Sequence, residues 1–470
     1  MYRPARLIFY SILYFLFICT KKVYVRNGLL SNGGAFRLFR PIHRNRLTSS
    51  TCKSVRAVKT GTAARQTAGQ NAGNRICWIH MNIYGIFFNN GIRTGGHRRY
   101  LRLLEGLAAK NCPVTLFYNR DLALDLAGVK QIPVNVPYVY HKTKALGQKF
   151  ARALQKFLRT SDYSFSRNIA ENGFVLIHGE THWAAAKVLS RICGLPIAFA
   201  QRSDSFTESR MYLRYEILPF KSRLFHLAYM FRQFLREQEI ARKAGILFFQ
   251  SETDRDSFLR RTGRRAKEKT AVVRGDIRQE NFKPEYAMSN TSVECRKLLF
   301  LGTLGARKGV RYLLEACARL HEAGLPFTLR VFGSGSGKTR MEAAGFLEKH
   351  GLSSLVSISG HTENVLQEMR DADLFIVPSL FDSYPDTIIE AVHCGTAVIA
   401  SRVGGIPDML GSGDLLFDPA DAGQIYLKIR SLMENPEEFR RIRDLTRARS
   451  AYFDFDWAQA WLDAMEHAQT

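Results

Sequence analysis

The sequence predicts an α/β protein built from two doubly wound, Rossmann-like domains. Three observations carry that expectation. The chain has 470 residues, more than one hydrophobic core usually organises. From Leu298 to Asp371 apolar runs of strand length alternate with stretches of helical spacing, which is the pattern of parallel βαβ units. Near the other end, residues 76–109 read as a strand, a glycine-rich turn and a helix, the opening unit of a second domain of the same kind.

Residues 1–75 stand apart as an N-terminal extension. Residues 7–20, LIFYSILYFLFICT, are apolar and flanked by Arg3, Arg6, Lys21 and Lys22. A helix needs about 20 residues to span a bilayer core, so this is a short membrane segment, or a signal-peptide core without a small-residue cleavage site. Residues 21–75 are rich in Arg, Ser, Gly, Asn and Thr with few apolar clusters, and read as disordered. Two accounts of the extension stand: a start placed upstream of the true one, or an uncleaved anchor. Charge follows the same division. No acid precedes Glu105, whereas eighteen Lys and Arg do, and residues 105–470 carry fifty basic and forty-two acidic groups, a net of +8 out of +26. Because neither a recognition helix nor an aromatic RNA motif accompanies this charge, nucleic acid is not an implied partner. The eight cysteines form no Cys-x-x-Cys pair, which suits a reducing compartment and implies no zinc site.

The N-terminal domain is expected over 76–282. Ile76–Ile86 supplies its first strand, Asn89–Gly96 the turn, and Tyr100–Ala109 a helix with Leu101, Leu104, Leu107 and Ala108 at helical spacing. Gly95 and Gly96 stand at the helix start, where backbone amides favour an anion. Val114–Tyr118, Phe174–His178, Pro196–Ala200 and Gly245–Gln250 are the following strands. Between them, Lys142–Arg159 places Leu146, Phe150, Leu154 and Phe157 on one face among six basic residues, and Lys221–Arg236 carries Phe225, Tyr229, Phe231 and Phe234. Such helices lie on an anionic membrane surface, or pack ordinarily on their apolar stripes. Residues 283–296 are polar and irregular and read as the inter-domain linker. A C-terminal domain over 297–451 follows, then a helix over 452–470.

The chemistry concentrates in 373–403. Leu374–Val377 has the apolar density of a strand buried on both faces, and Pro378-Ser379 ends it at the sheet's carboxyl edge, where open parallel sheets bind ligands. A loop, Phe381–Asp386, then leads to a short helix carrying Glu390 and to the strand Ala397–Ala400. Asp382 and Glu390, with seven residues between them, face the same edge. Upstream, Gly302-Thr303-Leu304-Gly305-Ala306-Arg307-Lys308-Gly309 follows another strand. These motifs, with Gly404-Gly405-Ile406-Pro407-Asp408, resemble the family-4 retaining glycosyltransferases, glycosyl transferases group 1.

The resemblance implies the GT-B fold, in which two Rossmann-like domains face each other across a deep cleft. A sugar-nucleotide donor then binds mainly to the C-terminal domain and an acceptor to the N-terminal one, and the closing helix crosses back to the first domain. Glu390 is implied to accept hydrogen bonds from the donor ribose, and Asp382 to stand beside the transferred sugar, where the family usually has Glu. Lys308 matches the lysine that clamps the donor diphosphate, and Gly302, Ser383 and Tyr384 are implied at the donor too. Thr303 occupies the family's arginine position, which leaves Arg307 as the second cation if it turns inward. From the other domain, Gly95 and Gly96 face the diphosphate. A His that many members carry after the strand beginning at Pro196 is replaced by Gln201-Arg202-Ser203-Asp204, so His178 and His182 are candidates for its place.

The function implied is transfer of a sugar to a lipid-linked or cell-envelope glycan with retention of configuration, at the cytoplasmic face of a membrane. No paired carboxylates with glycosidase roles are evident, so the implied mechanism is front-face, the departing phosphate helping to deprotonate the acceptor. A cation beside that phosphate stabilises its developing charge. Neither cofactor nor metal is expected. The alternatives are a sugar-nucleotide epimerase of the same architecture, or an inactive sugar-nucleotide-binding partner subunit. Gly333-Ser-Gly-Ser-Gly-Lys-Thr339 lacks the Walker spacing, and Asp371-Ala372-Asp373 reads as capping acids rather than a metal site.

Overall fold

The computed structural model describes residues 81–92, 95–136, 146–160, 172–277 and 282–468. The expected extension over 1–75 and the beginning of the first strand, 76–80, lie outside the described residues.

The N-terminal domain is a wholly parallel seven-stranded sheet in the order β3-β2-β1-β4-β5-β6-β7. Its elements are β1 (Asn82–Phe87), α1 (Gly95–Ala109), β2 (Val114–Asn119), β3 (Lys130–Val134), α2 (Leu146–Thr160), β4 (Gly173–His178), α3 (Trp183–Cys193), β5 (Ile197–Ala200), α4 (Ser205–Tyr215), α5 (Phe220–Lys243), β6 (Ile246–Phe249), α6 (Glu252–Thr262) and β7 (Thr270–Val272). The central strands are apolar because helices cover both faces of a parallel sheet: β5 and β6 have no exposed residue. β3 escapes the sequence reading because it is an edge strand with alternating burial and a proline inside it, a position that tolerates the missing amide.

The C-terminal domain repeats the plan with six parallel strands in the order β10-β9-β8-β11-β12-β13. It comprises β8 (Lys297–Leu301), α7 (Val310–Glu322), β9 (Thr328–Phe332), α8 (Gly337–Lys349), β10 (Val356–Ser359), α9 (Val365–Asp371), β11 (Leu374–Val377), α10 (Asp386–Cys394), β12 (Ala397–Ser401), α11 (Ile406–Leu410), β13 (Leu416–Phe417), α12 (Ala422–Glu434), α13 (Pro436–Ala448) and α14 (Ser450–Phe453). In both sheets the winding reverses beside the first strand, between β1 and β4 and between β8 and β11. Crevices open at the carboxyl ends of strands at such points.

The last helix, α15 (Trp457–His467), leaves the C-terminal domain and buries Trp457, Trp461, Leu462 and Met465 in the core that α1 shares with β1 and β6. Trp461 stacks on Phe248 with ring centroids 4.0 Å apart. Two such aromatic side chains removed from water hold the domains together more effectively than surface ion pairs.

One expectation is corrected, and for one helix the ordinary packing that stood as an alternative is found. Residues 283–296 are not a free linker: Met288 and Asn290 donate backbone hydrogen bonds to His393 and Cys394, and the buried Asn290 side chain donates to the carbonyls of Arg370 and Ala372. Their polar character serves these bonds, and the chain crosses between domains earlier, after Val273, which still belongs to the N-terminal core. The predicted helix over 142–159 is described from Leu146 onward, and its stripe is packed inward, with Phe150 and Leu154 in the domain core. Residues 142–145 lie outside the described residues. Among the described residues no helix is long and apolar enough to cross a membrane.

Candidate active site

The carboxyl ends of both sheets open onto one cavity of about 610 Å³. Its N-terminal wall is the start of α1 (Gly95, Gly96, Arg99), the turn after β4 (His178 to His182), Gln201 to Ser203 after β5, and one face of α5. Its C-terminal wall is Arg307, Lys308 and the run from Asp382 to Asp386.

Two glycines position that C-terminal wall. Gly309 has φ +67°, and a Cβ there would stand 1.9 Å from the Pro378 carbonyl oxygen. Gly404 has φ +51°, with 1.8 Å to the Asp382 oxygen. Only glycine accepts both the left-handed backbone and the close approach. Leu380 donates its amide to the Arg307 carbonyl at 2.8 Å and Gly405 donates to that of Ser383 at 2.9 Å, so the lysine turn and the Asp382 loop are tied into one rigid edge.

On this edge Lys308 Nζ donates to Asp382 Oδ2 at 2.5 Å. Arg307 turns inward, 3.7 Å from the same oxygen, and donates to the Phe381 carbonyl at 3.2 Å. Arg307 therefore stands in the wall, whereas Thr303 is exposed and neither it nor Gly302 lines the cavity. Gly302 instead packs against the stem of Lys308, which lies 3.5 Å from its would-be Cβ. Ser383 accepts the amide of Asp204 at 3.3 Å, and Tyr384 is buried against Gly275 with the Arg99 guanidinium over its ring.

Opposite, Arg99 pairs with Asp386 across the domains. The Asp386 carboxylate also sits over Gly95, 2.6 Å from where a Cβ would stand, so the amino end of α1 already faces an anion, as its dipole favours. Arg202 reaches over Gly96 and approaches His97 Nε2 at 3.3 Å. Four cations from two domains, Arg99, Arg202, Arg307 and Lys308, thus look onto one space.

Both histidine candidates line the cavity, but packing governs them. His178 stacks on Tyr100, and burial with the charges of Arg99 and Arg202 pushes it well below its usual range. His182 accepts the amide of Phe88 through Nε2 and is pushed down to about 3, mainly by burial. Both stay neutral at physiological pH, and His182 is fixed as an acceptor.

Glu390 lies one helical turn beyond Asp386 on α10 and does not line the cavity. Its Oε2 is buried and accepts no hydrogen bond from the protein. Burial pushes the carboxyl up to about 7, against the opposing charge of Arg98.

Behind the N-terminal wall, Asp204 accepts from Thr207, Ser257 and Arg261, and Arg261 forks onto both oxygens of Glu237. This buried network fixes the start of α4 beside Ser383. Thr253 completes the contact between domains by donating twice to Asp408.

Residues 284–449 match the family model for glycosyl transferases group 1. The C-terminal domain is therefore similar to the group 1 glycosyltransferases. The match covers the Lys308 turn, Asp382 and Glu390, and curated relatives align with stretches of the chain of similar length. They include 2-deoxystreptamine glucosyltransferase of Streptomyces kanamyceticus, 30% identical over 141 residues that make up 29% of this chain and 36% of that protein. Another is the MMP alpha-(1->4)-mannosyltransferase of Mycolicibacterium hassiacum, 31% identical over 160 residues, 32% of this chain and 37% of that protein. The chain thus spans about a third of the length of the curated relatives it matches.

Solved structures extend the likeness to both domains. Sucrose-phosphate synthase from Thermosynechococcus elongatus superposes with a TM-score of 0.63 at 19% identity, over 83% of this chain and 98% of that one. HepE of Anabaena, solved with UDP-glucose, gives 0.58 at 19% identity over 83% and 100%. At such identity the likeness is one of fold, and the fold is GT-B.

Within this site the sequence reading misses Arg99, Glu208 and Asp386 and the α5 face. Arg99 carries a usable signal: it follows the glycine turn by one helical turn and so points to the same edge as the turn itself. Asp386 lies inside the family signature, but only the tertiary approach of α1 gives it a partner.

Proposed function

We propose that this chain transfers a sugar from a nucleotide donor to an acceptor with retention of configuration. The observation that carries the reading is the convergence of Lys308 and Arg307 with Arg99, Arg202 and the amino end of α1 on one cavity at the carboxyl edges of two doubly wound sheets. A nucleoside diphosphate has the charge and size for that space. Lys308 and Arg307 hold the diphosphate, Asp382 stands beside the transferred sugar, and Glu390, which does not line the cavity as it stands, has to become accessible on donor binding to take the ribose hydroxyls. For the donor to enter, Lys308 exchanges part of its bond with Asp382 for the phosphate. As the glycosidic bond breaks and charge grows on the leaving oxygen, fixed cations gain more than they held in the ground state. The phosphate oxygen then takes the acceptor's proton on the same face. Because protein cations meet this charge, the reading needs no metal.

The acceptor enters along the N-terminal wall, where a lipid-linked or cell-envelope glycan at the cytoplasmic face of a membrane is the reading that the resemblance supports. Incubating the purified chain with a panel of sugar nucleotides tests donor use: one donor is expected to release nucleoside diphosphate, faster when acceptor lipid extract is added. Failure of every donor to release it refutes transfer.

A further inference from the structure

Helix α5 presents three faces. Met230, Gln233, Glu237, Ile240 and Ala241 are buried in the domain, while Tyr229, Arg232, Gln233 and Arg236 line the cavity. The third face is exposed and apolar: Phe220, Leu224, Ala228, Phe231 and Leu235 follow steps of four, four, three and four residues, one continuous stripe along the helix. Phe220 is 79% and Leu224 55% exposed, and Ile217, just before the helix, is fully exposed. Monomers rarely leave such a contiguous patch in water. From Phe220 to Arg236 there is no acid, and Lys221, Arg223, Arg232 and Arg236 flank the stripe.

We propose that this face of α5 is a docking surface for an anionic phospholipid bilayer. The stripe enters the boundary between headgroups and acyl chains, and the flanking cations meet the anionic headgroups. Charge selects this occupant over two others. A second copy would oppose the same cations to one another, and the apolar segment at residues 7–20 is itself flanked by Arg3, Arg6, Lys21 and Lys22. Arg232 and Arg236 belong both to the basic flank and to the cavity wall, so docking brings the headgroup layer to the mouth of the cleft. That consequence rests on the glycosyltransferase reading, and it makes the acceptor a lipid held in the membrane. Docking itself does not rest on it.

A local readout in the full-length chain tests docking, because residues 7–20 could retain the protein on vesicles whatever α5 does. Leu235→Trp places a reporter on the stripe, and Met341→Trp places one on an exposed site of α8, where Met341 is 77% exposed. On vesicles of brominated phosphatidylglycerol the Leu235→Trp signal is expected to be quenched well beyond the unsubstituted chain, and Met341→Trp to match it. Brominated phosphatidylcholine, or high salt, should remove most of the quenching. Adding Leu224→Glu to Leu235→Trp should weaken the vesicle-dependent quenching by about tenfold or more. An unquenched Leu235→Trp on the anionic vesicles overturns the proposal. So does a Leu235→Trp spectrum that shifts with protein concentration in the absence of vesicles, which would assign the stripe to a second copy. Nucleoside diphosphate titrated into the same samples separates the two ideas: quenching without nucleotide binding leaves docking standing and removes the glycosyltransferase reading.

Discussion

Lys308→Ala is expected to lower turnover by about 10²–10³-fold, the usual cost of removing one pre-positioned donor to a developing oxyanion, while the donor KM changes far less. The split follows from where the charge appears. A sugar nucleotide already carries diphosphate charge, and the charge added at the leaving oxygen exists only as the bond breaks, so the contact strengthens toward the transition state. The variant also removes the partner of Asp382, which is 2.5 Å away and mostly buried. Its melting temperature should therefore be read beside the kinetics. Asp382 retains Arg307 at 3.7 Å, so a folded variant is expected. Arg307→Ala should show a smaller kinetic loss with the same sign, because that guanidinium is shared with the Phe381 carbonyl and with Glu208, 3.9 Å away. Steady-state kinetics on the donor that releases nucleoside diphosphate checks both, and unchanged turnover in Lys308→Ala would remove the lysine from the chemistry.

Glu390→Gln is expected to weaken donor binding and, without nucleotide, to raise stability near neutral pH. A charge-assisted hydrogen bond to ribose is worth roughly 1.5–3 kcal/mol, or about one to two decades of affinity. The stability effect has the opposite sign because burial disfavours the charged form and pushes the folded-state carboxyl up to about 7, from 4.5. The folded protein then holds more protons than the unfolded one across that window, and stability falls as pH rises through it. Glutamine removes the cost above about pH 7 and makes no difference below pH 4.5, where glutamic acid is neutral in both states. Melting curves at pH 4.5 and pH 8 should therefore converge for the two proteins at the lower pH and separate at the higher, with the variant more stable. A variant equally or less stable at pH 8 would mean that Glu390 already has a partner within the protein.

How much of this was legible in the sequence depends on which contacts each feature needs. Strands buried on both faces, such as Leu374–Val377, declare themselves because covering helices make every position apolar. The glycines at 309 and 404 are visible too, and the structure gives their reason: each lies against a carbonyl oxygen of the Asp382 edge. What the sequence leaves open are features decided between elements. Phe150 and Leu154 of α2 and the stripe of α5 carry the same basic, apolar pattern, yet one is core and the other exposed, because only the order of strands decides which helix has a sheet beneath it. Residues 283–296 look like a linker for the polar groups that bind Asn290 to neighbouring carbonyls. The roles of Arg99 and Asp386 arise only when two domains meet, and positions 287 residues apart carry no local signal of that.

Proton NMR of the anomeric region, recorded as the chain consumes a donor in the presence of acceptor, tests the central claim most directly. The account predicts a new glycoside whose anomeric coupling matches that of the donor sugar, appearing together with nucleoside diphosphate, and absent with Lys308→Ala. An inverted coupling would contradict retention, and a nucleotide sugar altered in place, with no glycoside formed, would show an epimerase instead of a transferase.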